Sequence, residues 1–296
     1  MNIIAQLQGG LGNQLFQYAT ARALANRLQA HLELDTAWFE DAYADVTKRD
    51  VQLSELRIDA RLICQTPLIT RPKRIRRILQ HLLPLTPYVY CEHRPYSFER
   101  QLSQIHPYQN QDLYLLGYWQ SYKYFSPIRE QLINEIRPRY DITSAYQPFL
   151  TQIQKTSAAM VHIRRGDYVN LSAASKVHGF LGLEYYKRGM TTLLERNSDI
   201  QFFIFSDDLQ WAQENLPFQK SITYIQVSPM ATSASQELFL MSQCQYHLIA
   251  NSSLSWWGAW LAHGNNALEK VISPRHWTND HHTNWDDLLP HSWERI

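Results

Sequence analysis

Ala158-Ala159-Met160-Val161-His162-Ile163-Arg164-Arg165-Gly166-Asp167 is a short apolar run that stops abruptly at two arginines, a glycine and an aspartate. Six mostly apolar residues bounded by a polar glycine turn read as a buried strand, here over 158–163. Downstream, the pattern alternates. Helical spacing over 182–196 precedes a strand over 201–205, a helix over 208–216 and a strand over 222–227. A helix over 235–243, a strand over 246–250, a helix over 254–262 and a last strand over 270–272 follow, ending before Pro274. Five strands separated by helices predict right-handed crossovers and a doubly wound parallel sheet.

Upstream, the chain opens in the same way, with a strand over 2–8, a glycine-rich turn, a helix from 11 to 28 and a strand over 31–35. Regularity is then lost. Residues 36–110 are rich in Tyr, Pro, Gln and His, and only a strand near 113–116 and a helix near 126–136 precede a linker over 137–147. The fold class is therefore α/β, with domains over 1–147 and 148–296, in keeping with a length of 296 residues.

Composition narrows the function. Hydrophobic residues make up 45% of the chain and the formal charge is +1, from 28 basic and 27 acidic side chains. No global field draws it to nucleic acid, so affinity for an anion must be local. Cys64, Cys91 and Cys244 are scattered and odd in number, which fits buried free thiols in a reducing compartment better than disulfides or zinc. Residues 1–8 lack the features of a signal peptide, and no apolar stretch approaches the roughly 20 residues of a membrane span. The expectation is a bacterial cytoplasmic protein. The basic run Arg71–Arg77 leads into Ile78, Leu79, Leu82 and Leu83. It reads either as a solvated face or as a segment peripheral to the inner face of the plasma membrane.

Four segments carry chemistry, and each follows the carboxyl end of an expected strand, the edge where open α/β sheets bind ligands. Gly9-Gly10-Leu11-Gly12-Asn13-Gln14 joins the first strand to its helix. Gly10 and Gly12 allow close backbone approach, while Asn13 and Gln14 set two amides beside the turn, suited to sugar hydroxyls. A plain strand-to-helix turn is the competing reading, because the spacing departs from the dinucleotide fingerprint. In His162-Ile163-Arg164-Arg165-Gly166-Asp167, the planar forks of Arg164 and Arg165 suit a diphosphate, against the alternative of a surface ion pair with Asp167. In Phe203-Ile204-Phe205-Ser206-Asp207-Asp208, Asp207 or Asp208 could accept from the guanine edge, cap the next helix, or grip Mg²⁺, the weakest of the three. Asn251-Ser252-Ser253-Leu254-Ser255 presents hydroxyls and helix-start N–H groups suited to phosphate. Trp256, Trp257 and Trp260 after it read as core.

Together with Gly117-Tyr118-Trp119-Gln120-Ser121 and the helix from Glu237, these segments resemble the motif set of glycosyltransferase family eleven across nearly the whole chain. The resemblance implies a two-lobed B-type glycosyltransferase fold with a Rossmann-like sheet in each lobe. The implied reaction is inverting transfer of L-fucose from GDP-β-L-fucose to the 2-hydroxyl of a galactose-terminated oligosaccharide, with no metal or other cofactor. It places the donor on the second lobe, where His162 and Asp207 would contact guanine, Arg164 the β-phosphate, and Ser253 and Ser255 phosphate oxygens. Arg165 and Asp167 would brace the loop, and Asn13 would lie near the reacting centre. A positioned carboxylate or His would deprotonate the acceptor, Asp167 being one candidate, unless transfer runs without a base. Rival readings are another fucosyl linkage, a protein acceptor, or a glycan-binding module without catalysis. The module would have no need of an arginine-lined diphosphate site. Zinc hydrolysis through His276, His281, His282 and Asp286 matches no standard ligand spacing.

Overall fold

The computed structural model describes residues 1–40, 50–64, 87–106, 111–165, 179–216, 222–262, 270–280 and 282–296. Tertiary contacts divide the chain into two units, Met1–Ile136 and Arg137–Ile296.

In the first unit, β1 (Asn2–Gln6) buries Ile3, Ile4 and Ala5 on both faces, the pattern of a central parallel strand. The chain turns at Gly9, whose φ of 76° favours a residue without a Cβ, into α1 (Leu11–Leu28). β2 (His31–Asp35), β3 (Arg61–Ile63), β4 (Tyr88–Cys91) and β5 (Leu113–Leu116) complete a sheet in the order β3-β2-β1-β5-β4. All its pairings are parallel. Strand order runs outward from β1 through β2 to β3 and restarts on the other side, so the switch point lies between the carboxyl ends of β1 and β5. Two short helices, α2 (Arg100–Ser103) and α3 (Arg129–Glu135), follow β4 and β5. The helix expected over 126–136 is shorter: Pro127 starts a 3₁₀ turn, Ser126–Ile128, before α3.

The second unit runs α4 (Gln147–Lys155), β6 (Ser157–Ile163), α5 (Leu183–Arg196), β7 (Ile200–Ser206), α6 (Leu209–Asn215), β8 (Ile222–Tyr224), α7 (Ala234–Gln243), β9 (Tyr246–Leu248), α8 (Ser253–Trp260), β10 (Val271–Ser273) and β11 (Glu294–Arg295). Its six strands stand in the order β11-β10-β9-β6-β7-β8, all parallel. The switch point here falls between β6 and β9. One face of the sheet sets Ala159, Val161 and Ile163 against Tyr186, Met190 and Leu193 of α5. Gly189 lets α5 approach closely, since a Cβ there would stand 2.4 Å from Leu248 Cδ1.

Trp256, Trp257 and Trp260 are fully buried, as the core reading expects. Trp256 stacks on Trp260 with centroids 5.8 Å apart, and its Nε1 donates to Leu288 O at 2.9 Å. The sequence reading treats 137–147 as a linker. The structure gives this stretch to the second unit, where Gln236 Oε1 accepts from Thr143 N and Oγ1, and Tyr146 OH donates to Glu237 Oε1 at 3.0 Å. All three cysteines are free, but Cys64 is exposed and Cys91 half-buried, so only Cys244 fits the expectation of a buried thiol. Among the described residues no helix is long and apolar enough to cross a membrane. Arg71–Arg77 lies outside those residues.

Candidate active site

At the edge of the second unit, β6 and β7 end in register, with Ile163 opposite Ser206. The next two residues of each strand therefore lie side by side. Arg164 Nη1 meets Asp207 Oδ2 at 2.9 Å, while the Arg165 backbone N–H donates to Asp207 Oδ1 at 2.8 Å. Asp207 thus receives one bond from a side chain and one from the backbone of the neighbouring strand end. About a quarter of each side chain of the Arg164–Asp207 pair stays exposed, 26% and 25%. That exposure leaves Arg164 within reach of a ligand.

Arg165 is held differently. Its Nε meets Asp208 Oδ2 at 3.0 Å, and its guanidinium carbon sits 4.6 Å from the Phe180 ring centroid and 4.4 Å from that of Trp211. Asp208 also caps α6, accepting from Trp211 N at 3.1 Å. Of the readings open for the acidic pair, capping is therefore realised by Asp208. Asp207 and Asp208 both hold the arginines beside them, and their carboxylate oxygens keep further acceptor positions. Arg165 is enclosed by two aromatic rings and an ion pair.

His162 points to the opposite side of β6 from Ile163 and is 5% exposed. Its Nδ1 is buried without a hydrogen-bond partner. Burial pushes its pKa down to about 4, with Arg164 acting in the same direction and Asp207 against it. The imidazole is neutral at pH 7, with a buried nitrogen that a ligand could satisfy.

β9 pairs with β6 through Val161 opposite Leu248, so Arg164 and Asn251 each stand three residues past a paired position, on either side of the switch point. Asn251 is buried and its Nδ2 donates to Trp277 O at 3.3 Å and Gly179 O at 3.4 Å. It ties three loops together. The Ser255 hydroxyl, fully buried, donates back to Ala250 O at 3.2 Å or Ser252 O at 3.1 Å. This corrects the expectation of Ser255 as a phosphate ligand: its hydroxyl holds the entry to α8. Ser252 and Ser253 remain half-exposed at the start of α8, and Ser252 makes no side-chain capping bond. Asp167 lies outside the described residues.

The first unit has its own constellation at the β1/β5 switch point. Gly10 is the N-cap of α1 in extended conformation, and a Cβ there would meet nothing within 4 Å. Gly12 is buried in the first turn. Asn13, half-exposed, accepts from Gln120 Nε2 at 2.9 Å. Gln14 departs from its expected acceptor-facing role. It is fully buried, donates from Nε2 to Gly9 O and Asp50 O, both at 2.9 Å, and accepts from Gln52 N at 3.0 Å.

Glu92, which follows β4, escapes the sequence reading altogether. Its Oε2 accepts from Tyr118 N at 2.9 Å and its Oε1 from Trp119 N at 3.0 Å. The one signal for it was the aromatic strand pattern Tyr88-Val89-Tyr90 just before, inside an otherwise irregular region. Among the described residues no group of three or more His, Cys, Asp or Glu could hold a metal ion. Of the four residues considered for zinc, Asp286 pairs with Arg295 at 2.8 Å and His281 is not among the residues described.

Two Rossmann-like parallel units in one chain are the architecture of the B-type glycosyltransferase fold. The glycosyl transferase family 11 model matches residues 95–296. An α-1,2-colitosyltransferase of Escherichia coli is 32% identical over 299 residues, covering 99% of this chain and 98% of its own. The O-antigen biosynthesis glycosyltransferase WbnK of Escherichia coli is 31% identical, covering 92% of this chain and 93% of its own. A galactoside α-(1,2)-fucosyltransferase 2 of Rattus norvegicus is 24% identical over 87% of this chain and 66% of its own. Among solved structures, the fucosyltransferase NodZ from Bradyrhizobium covers 88% of this chain at 15% identity with a TM-score of 0.47. The chain belongs to glycosyltransferase family 11.

Proposed function

We propose that this glycosyltransferase transfers L-fucose from GDP-β-L-fucose, with inversion, to the 2-hydroxyl of a terminal galactoside. The observation that carries the reading is Arg164 at the β6/β9 switch point, partly exposed and steadied by Asp207. Breaking the sugar–phosphate bond leaves negative charge on the departing diphosphate, and a preorganised guanidinium stabilises it without a metal. The start of α8, with Ser252 and Ser253, adds N–H groups and hydroxyls for phosphate oxygens. His162, neutral and lacking a partner at Nδ1, meets the base of the nucleotide. Asp207 acts through Arg164 by holding it. The acceptor galactoside belongs to the first unit, beside Asn13.

Two relatives' names support a 1,2 linkage and divide over the sugar: the Escherichia coli α-1,2-colitosyltransferase against the Rattus norvegicus galactoside α-(1,2)-fucosyltransferase 2. A second reading therefore has colitose, the 3-deoxy counterpart of fucose, as the transferred sugar, favoured by the α-1,2-colitosyltransferase being similar over nearly both full lengths. Equal concentrations of GDP-fucose and GDP-colitose offered with lactose, with products read by mass spectrometry, decide between them. Predominant fucosyl-lactose supports the proposal, and predominant colitosyl-lactose replaces it with the second reading.

A further inference from the structure

Three features of the first unit meet at one carboxylate. Glu92 stands at the carboxyl edge of the sheet, directly after β4 and beside the residues that follow β5. The segment after β5 is moulded around it: a Cβ on Gly117 would come within 2.4 Å of Glu92 Cβ, and Tyr118 N and Trp119 N both donate to its oxygens. Two residues with side chains adopt left-handed backbone nearby, Trp119 at φ 57° and Tyr96 at φ 61°. Such conformations are costly outside glycine and gather where a site over-determines them. One residue further on, Gln120 makes its bond to Asn13 across the switch point.

Two N–H donors favour the charged carboxylate, whereas burial favours the neutral acid. At Glu92 burial prevails. Burial pushes it up to about 7, Glu99 adds to the rise, and the Tyr118 and Trp119 N–H groups oppose it. No cation pairs with it among the described residues. The titratable groups whose own ionisation it disfavours are Tyr96, Tyr118 and Tyr124, all raised by burial and neutral at pH 7. The adjacent imidazole of His93 pairs with Glu99 instead, at 2.9 Å. Each oxygen of Glu92 uses one acceptor position on a backbone N–H and keeps another.

We infer that Glu92 is the general base of the acceptor subsite, with Tyr118, Asn13 and Gln120 around the place where the galactoside lies. This rests on the function proposed above. In the step, the acceptor O–H bond breaks and its proton goes to a Glu92 oxygen. The acceptor oxygen's electron pair forms the bond to the anomeric carbon, and the anomeric carbon–oxygen bond to the diphosphate breaks with its pair leaving on GDP. Glu92 returns the proton to water. A base is most effective when its pKa lies near the working pH.

The test compares the wild type with Glu92→Gln and Glu92→Ala for transfer to lactose, GDP affinity by calorimetry and melting temperature. The expected result is a fall of about 10²–10⁴-fold in kcat for Glu92→Gln at unchanged GDP affinity. The wild-type kcat/KM for lactose should rise with pH up to about 7, that limb should vanish in Glu92→Gln, and added formate should restore part of the rate of Glu92→Ala. A Glu92→Gln enzyme at more than a third of wild-type rate, or one keeping the wild-type pH limb, overturns the inference. So does a Glu92→Ala enzyme that melts early and ignores formate, which would make Glu92 a brace. Wild-type protein that binds GDP-fucose but fucosylates no galactoside overturns the proposed function and Glu92's role with it, whereas active wild type beside equally active variants overturns Glu92 alone.

Discussion

Gln120 Nε2 donates to Asn13 Oδ1 at 2.9 Å, joining the loop after β5 to the first turn of α1, 107 residues apart in sequence. The bond spans the switch point of the first sheet and holds the amide of Asn13 there, beside the acceptor site proposed above. Asn13→Ala and Gln120→Ala are each expected to lower kcat/KM for the acceptor about tenfold, through KM. A double-mutant cycle should show a coupling of about 1 kcal/mol. Additive losses would mean that the two residues act separately.

Ser253 and Ser255 are two residues apart and face different tasks. Ser255 is fully buried and bonded to backbone carbonyls, whereas Ser253 is half-exposed at the start of α8. Ser255→Ala should destabilise the fold by about 1 kcal/mol, read in urea unfolding, with little change in GDP affinity. Ser253→Ala should do the reverse, weakening GDP several-fold in calorimetry at constant stability.

Arg165 lies between Phe180 and Trp211 with Asp208 on its Nε. Arg165→Ala should lower stability by about 1–3 kcal/mol through lost cation–π and charge-assisted contacts. GDP affinity should fall less than in Arg164→Ala. The opposite ranking in calorimetry would move the diphosphate contact from Arg164 to Arg165.

His162 and His247 are both buried, and burial pushes each down to about 4. Their unfolded forms bind a proton near pH 6.5, so between those values the unfolded state carries more protons and stability rises with pH. The stability from each neutral imidazole is in place above pH 6.5 and lost as pH falls toward 4, about 3 kcal/mol per group at most. Glu92 and Glu237, both raised by burial, act in the opposite sense over the same range. Denaturant midpoints measured from about pH 7.5 to 4.5 on wild type and His162→Gln isolate the histidine: the difference in stability between the two should change as pH falls from about 6.5 toward 4. A difference that does not vary with pH would contradict the burial of His162.

The second unit was largely legible because its signals are local. Ala158 to Ile163 is apolar without a break, so the strand, and Arg164 at its end, follow from adjacent residues. Asp208 as a helix cap follows from its place before Leu209. The first unit hid its chemistry: β4 is four residues long, and the partners of Glu92 lie 26 and 27 residues away on a loop whose backbone conformation no local pattern encodes. Gln14 shows a second limit. Its amide reads as a sugar ligand by type and place, and only the positions of Asp50 O and Gln52 N reveal that the chain itself uses it. Ser255 and Ser253 differ in the same way, since the burial of a hydroxyl depends on which side of α8 faces the core.

The most direct measurement is the linkage of the product that EDTA-treated protein makes from GDP-fucose and lactose, determined by NMR, with Arg164→Ala beside it. The account predicts a single fucose α-linked to the galactose 2-hydroxyl, formed without metal, and a rate about 10²–10³-fold lower in the variant. Another linkage, a requirement for added metal, or an Arg164→Ala enzyme as fast as the wild type would contradict it.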